Sequence, residues 1–181
     1  QLAAIARDPV EAEAMRESYS DYNIEFHDAE TRAYPGAVEV VRALAGWGIA
    51  LGVVTSKKRI GALRGLRHMG LLDELAVLVA VDDVTHGKPH PEPVLRAMEL
   101  LGAHPETTVF VGDSTHDMAS GRAAGVRIAA ALWGPFSRES LAAHAPDWWL
   151  TQPSELLPAL FADRMSGVEL AASPSGVDVG R

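Results

Sequence analysis

Two aspartates four residues apart follow a short apolar run that ends in glycine: Thr108-Val109-Phe110-Val111-Gly112-Asp113-Ser114-Thr115-His116-Asp117. The run reads as a buried strand, which puts Asp113 at its carboxyl end and Asp117 one turn into the next helix. In an open parallel sheet the carboxyl ends of the strands are where ligands and ions bind. Two acids converging there repel unless a cation compensates them, and Mg²⁺, a hard oxygen-seeking ion, is the natural partner. The plainer alternative is a capped helix start, in which Asp113 or Ser114 accepts backbone N–H bonds.

Two further polar groups stand at comparable places. Thr55-Ser56 follows the apolar run Leu51-Gly52-Val53-Val54. Hydroxyls at a helix entrance make an anion cradle with its free N–H groups, or serve as an ordinary N-cap. Lys88 lies in His86-Gly87-Lys88-Pro89-His90-Pro91, where one glycine and two prolines restrict the backbone. An ammonium presented in this way suits holding a carboxylate and phosphoryl oxygens; a solvated loop lysine is the alternative. The order hydroxyl, lysine, acidic pair is more specific than any one member. Response-regulator receivers carry their acids first and lysine last, so this order disfavours that class.

Other residues invite chemistry with less support. His86 and His90 are four apart like a metal pair, but Pro89 between them breaks the helix that would align them, so no histidine metal site is expected. His116, between the two acids, faces either substrate or solvent. Lys57-Lys58-Arg59 at a helix start meets a second phosphate or is simply a solvated charge run.

The elements that must position these groups follow from periodicity. Met15, Tyr19, Tyr22 and Phe26 recur at helical spacing within 11–26 and form one apolar stripe. Tyr34-Pro35-Gly36 interrupts it and opens a helix with Val38, Val41 and Leu44 inward. Strands are then expected at 49–54, 77–81, 107–111 and 126–132, with a weak one at 148–150. Between them lie a helix carrying Ile60, Leu63, Leu66 and Met69, a helix at 91–101 closed by Gly102, and a helix at 115–124. A helix at 154–161 ends the series, and Trp148 and Trp149 are expected to cover the sheet edge. This alternation predicts an α/β fold with a doubly wound parallel sheet. Residues 164–181 lose periodicity and are expected to be a disordered tail.

Composition narrows the function classes. A chain of 181 residues with 48% hydrophobic content builds one ordinary core plus an appendage. It contains no cysteine, which removes thiolate chemistry and fits a reducing cytoplasm. The net charge of −8 argues against nucleic-acid and anionic-membrane partners. No apolar run approaches the roughly 20 residues that span a bilayer. The chain opens on Gln1 and not methionine, so upstream sequence is expected. Oligomeric state is open.

At these motifs the chain resembles the haloacid dehalogenase superfamily. Val53-Val54-Thr55-Ser56 is similar to its second motif, Lys88-Pro89-His90-Pro91 to its third, and Gly112-Asp113-Ser114-Thr115-His116-Asp117 to its fourth. Leu51-Gly52-Val53-Val54-Thr55-Ser56-Lys57-Lys58-Arg59, Asp82-Asp83-Val84 and Lys88-Pro89-His90-Pro91-Glu92-Pro93-Val94-Leu95 resemble the pyrophosphatase and phosphoglycolate phosphatase branch. Tyr22-Asn23 and His27-Asp28 are similar to the end of that branch's helical cap. The resemblance implies a cap remnant over 1–33, a Rossmann-like core over 34–163, and a small phosphorylated substrate. It also implies an aspartyl-phosphate mechanism. Thr55 would bond the transferring phosphoryl group, with Ser56 and Lys57 beside the substrate. Lys88 would steady the nucleophile, and Asp113 would bind Mg²⁺. Asp117 would either reach the metal through water or hold Lys88. The acidic pair argues against the dehalogenase branch itself, which uses no metal. The family's first motif, Asp-x-Asp-Gly-Thr, which holds the nucleophile and acid/base on the central strand, is not present in this sequence. A sheet without that strand leaves two open edges or forces its neighbours to rejoin. Three explanations stand: loss of an amino-terminal segment from a complete phosphatase, a truncated non-catalytic module, or another doubly wound protein.

Overall fold

Strand and helix alternate from Gly52 onward in the computed structural model, which describes residues 6–167. Helix α1 (Pro9–Glu30) precedes the alternation. The side chains of Tyr19, Tyr22 and Phe26, assigned above to its apolar stripe, lie outside the described residues. Helix α2 (Ala37–Gly46) starts directly after Gly36, whose φ of 81° is left-handed and suits the Tyr34-Pro35-Gly36 turn. It buries Val40 and Leu44 fully, and Val38 and Val41 only in part. The end of α1 is tied to the core by a two-pronged ion pair: Arg64 Nε and Nη2 donate to Asp28 Oδ1 and Oδ2 at 3.0 and 3.1 Å.

The strands form two parallel sheets. β1 (Gly52–Val54) pairs with β2 (Val77–Val79), Gly52 opposite Val77 and Val54 opposite Val79. β3 (Val109–Gly112), β4 (Arg127–Ala131) and β5 (Trp148–Leu150) form the second, in that order, with Val109 opposite Arg127 and Ala129 opposite Trp148. No ladder joins β1 to β3. Of the two outcomes expected for a sheet lacking its middle strand, the open edges are the one observed. Burial agrees: every residue of β3 is only half-buried, whereas Ile128, Ala129 and Ala130 of β4 are 0% exposed. All strand pairs are parallel and helices separate them, so the fold is the α/β class expected.

The helices between the strands are α3 (Arg59–His68), α4 (Glu92–Leu101), α5 (Thr115–Ala123), α6 (Arg138–Ala142) and α7 (Leu156–Gly167). Helix α4 packs on both β1 and β2 and touches α5, so it ties the two sheets together. Its Val94 and Met98 join Met118, Val126, Ile128 and Leu141 in the larger core cluster. Gly102, with φ 61°, closes it as expected.

Several boundaries differ from expectation. β2 stops at Val79 because Val81–Asp83 winds into a 3₁₀ turn, in which the Asp83 carboxylate accepts the Ala80 N–H at 2.7 Å. Ile60 does not face inward: it is 80% exposed, and Ala62 takes the buried position of α3. Helix α6 carries no strong sequence signal beyond the Ser137 cap, whose Oγ accepts the Ser140 N–H. Helix α7 runs to Gly167 rather than ending at 161, since Ala162, Arg164 and Met165 are good helix formers beyond the apolar stripe. The rest of the expected tail, 168–181, lies outside the described residues. Trp148 and Trp149 lie in the edge strand β5 as expected, beneath Arg127 and Arg138, whose guanidinium carbons stand 5.1 and 4.2 Å from the ring centres.

Candidate functional site

The carboxyl ends of β1 and β3 face each other across the unpaired gap, and Lys88 spans it. Its Nζ donates to Asp117 Oδ1 at 2.5 Å on the β3 side and lies 3.4 Å from Val54 O at the end of β1. The Lys88 and Asp117 side chains are 11% and 9% exposed, so water screens the pair weakly. The loop carrying Lys88 is pinned by Ser120 Oγ of α5, which donates to His90 O at 2.8 Å. Phe110 adds its ring 5.9 Å from the ammonium.

Asp117 has further partners. Its Oδ2 accepts from Ser114 N and Oγ at 3.2 and 2.6 Å, and Ser114 Oγ accepts the Asp117 N–H in return, closing a capping box at the start of α5. The structure therefore brings Asp117 to Lys88 and to the helix cap, the second of the two roles weighed for it. Asp113 is half-buried above it. Burial pushes the Asp113 carboxyl above its usual range, and the charge of Asp117 adds to this, while Lys88 offsets part of it. Two glycines make room for the acids. A methyl group on Gly112 would overlap Asp117, and one on Gly134 would overlap Asp113.

These groups line a cleft of about 270 Å³ together with Val54, Phe110 and Trp133. Thr55 stands one residue past Val54, and its Oγ1 accepts the Lys57 N–H at 3.1 Å. Ser56 and Lys57 are exposed, and neither they nor Thr55 line the cleft. Arg59 is engaged within the fold: its guanidinium grips Asp83 at 2.9 and 2.6 Å and Leu78 O at 2.8 Å, while Asp82 caps its N–H at 2.9 Å. His116 is exposed.

His86 and His90 meet, though not through helical spacing. A turn, with His90 N donating to Gly87 O at 3.1 Å, folds the loop back and stacks the two rings 4.7 Å apart. Helical spacing was the wrong test for a pair inside a turn. Sequence reasoning also missed Trp133, Gly134 and Ser120. Leu132-Trp133-Gly134-Pro135 after a strand signalled a loop at the same rim, but nothing local reveals what a glycine packs against. A lone helical serine gives no signal at all.

The parallel α/β frame and the lysine–aspartate clasp at its strand ends define a class. A family model for haloacid dehalogenase-like hydrolases matches residues 2–131, and the chain belongs to that family. It is similar to pyrophosphatase PpaX of Bacillus cereus strain G9842, 41% identical over 153 residues, which are 84% of this chain and 71% of that protein. Pyrophosphatase PpaX of Anoxybacillus flavithermus strain WK1 is 39% identical over 155 residues, 86% and 72% of the two chains. A protein of Bacteroides fragilis, provisionally described as a haloacid dehalogenase-like hydrolase, superposes with a TM-score of 0.76 at 30% identity, over 82% of this chain and 71% of its own. One of Lactobacillus plantarum, provisionally described as a phosphoglycolate phosphatase, gives 0.75 at 26% identity, over 87% and 74%. Among the described residues no helix is long and apolar enough to cross a membrane.

Proposed function

We propose that this chain is the greater part of a Mg²⁺-dependent phosphohydrolase acting on a small phosphate compound, with pyrophosphate first among the candidates and phosphoglycolate second. The observation that carries this reading is the cleft in which Lys88, Asp113 and Asp117 converge beside the unpaired edges of β1 and β3. The likeness to pyrophosphatase PpaX supports pyrophosphate.

The donor set fits the metal. Asp113 offers hard carboxylate oxygens, and its upward shift marks a site where a bound cation would relieve both burial and the neighbouring charge. Asp113 would hold Mg²⁺, which would supply neutralisation of phosphoryl charge. The chain's own groups do the rest. Asp117 keeps the Lys88 ammonium in place, and Lys88 holds the attacking carboxylate and a phosphoryl oxygen together. Thr55 Oγ1 donates to another phosphoryl oxygen. The attacking carboxylate, as the family resemblance implies, comes from a strand upstream of Gln1; the unpaired edges of β1 and β3 support this reading. Its oxygen bonds to phosphorus, the leaving oxygen takes a proton from a second upstream acid, and water then hydrolyses the acyl phosphate.

The test is phosphate release from pyrophosphate and from p-nitrophenyl phosphate by the protein extended through its upstream codons, with and without Mg²⁺. Mg²⁺-dependent turnover that Lys88→Ala and Asp113→Ala abolish is expected, as is no turnover by the 181-residue chain alone. Unchanged turnover in both variants removes the site assignment. An upstream sequence without Asp-x-Asp turns the reading to a non-catalytic module.

A further inference from the structure

The His86–His90 pair does not stand alone. Glu92 Oε2 lies 2.9 Å from His86 Nδ1 and 3.9 Å from His90 Nδ1, and the three side chains offer donor atoms all within 4.8 Å of one another. Donors around one tetrahedral Zn²⁺ stand about 3.4 Å apart, given Zn–N bonds of about 2.1 Å. The observed spacings bracket that value. We propose that His86, His90 and Glu92 bind one divalent ion of the borderline kind, Zn²⁺ or a near neighbour, at a site separate from the acidic cleft.

Donor chemistry separates the two sites. Two imidazole nitrogens and one carboxylate favour Zn²⁺, Ni²⁺ or Co²⁺, whereas Mg²⁺ prefers oxygen alone. The carboxylate is already aimed: Thr85 N–H and His86 N–H donate to Glu92 Oε1 and Oε2 at 2.7 and 2.9 Å, the kind of outer support that orients a ligand. His90 Nδ1 accepts the Glu92 N–H at 3.2 Å, a bond that metal ligation at that nitrogen would replace. The His86, His90 and Glu92 side chains are 63%, 50% and 30% exposed, which leaves room for water in the fourth position. Lys88 lies between the two histidines. An ion bound there ties the ends of the loop that presents its ammonium.

The experiment is calorimetric titration of the 181-residue chain with ZnCl₂ and, separately, MgCl₂ at neutral pH. One saturable Zn²⁺ site is expected, weakened about tenfold or more by His86→Ala and by His90→Ala and unaffected by Asp113→Asn. Far-UV circular dichroism checks that the variants fold. A second reading needs no variant: in the unaltered chain the imidazole proton signals of two histidines shift together as Zn²⁺ is added and return with chelator. Zn²⁺ binding that survives both histidine substitutions, that disappears only in Asp113→Asn, or that never saturates overturns the site. None of these outcomes bears on phosphate release, so this proposal and the catalytic reading fail independently.

Discussion

The ammonium of Lys88 and the carboxylate of Asp117 are 2.5 Å apart, nearly buried, and contributed by segments that flank an unpaired gap. Removing one partner leaves an uncompensated charge in a poorly solvated place. Asp117→Ala also removes the half of the capping box in which its carboxylate accepts from Ser114 N and Oγ, while the backbone N–H bond to Ser114 Oγ stays. A loss of about 3 kcal/mol or more in urea unfolding is expected, and Lys88→Met in the same background should restore part of it. A cost below about 1 kcal/mol, typical of an exposed pair, would show that this contact contributes little.

Gly134 sets how closely the loop after β4 approaches Asp113. Because an added methyl would overlap that side chain, Gly134→Ala must move either the loop or the acid. The expected penalty is about 1–3 kcal/mol, the range for overpacking, together with loss of Mg²⁺ binding by calorimetry. Gly125→Ala is the control, since no atom stands within 4 Å of its added carbon, although its φ of +77° carries backbone strain. Wild-type Mg²⁺ binding in Gly134→Ala would mean that Asp113 tolerates displacement.

Asp113 gives a pH prediction with a definite sign. Its carboxyl is raised by burial and by Asp117, so the folded chain binds that proton more tightly than the unfolded chain does. Stability from this group falls as pH rises from about 3.9, the ordinary carboxyl value, through the raised one, and the penalty persists at neutral pH. Without divalent ions, Asp113→Asn should melt above the wild type at pH 7. The gain should vanish below the ordinary carboxyl range, where both side chains are neutral. A wild type as stable as the variant at pH 7 would contradict the assigned burial.

The α/β alternation was legible because each strand is a short apolar run bounded by glycine or a polar turn, and helix α4 carried both its proline entry and its glycine exit. Convergence of Lys88 with Asp117 was legible too, since strand ends in a parallel sheet face one rim. Less visible was everything set by contact across the chain. Ile60 has a core residue's chemistry but an exposed position, because helix phase depends on what α3 packs against. Arg59 read as a candidate phosphate ligand, yet Asp83, 24 residues on, takes its guanidinium. Pro89 concealed the meeting of His86 and His90, because a turn brings together residues that a helix rule separates.

The gap between the sheets makes the last prediction. Among the described residues β3 has a hydrogen-bonded neighbour only in β4, and β1 only in β2. Backbone groups on such edges open at low free-energy cost, whereas β4 is paired on both sides and sealed by Met118 and Leu141. In the 181-residue chain, amides of Gly52–Val54 and Val109–Gly112 should exchange with solvent faster than those of Ile128, Ala129 and Ala130. Adding the upstream segment should slow the first two groups and leave the third little changed, because a strand seated between β1 and β3 would pair with both. Equal protection of all three strands in the 181-residue chain would mean that the edges are covered in solution. That result would remove the space in which the attacking carboxylate is proposed to sit.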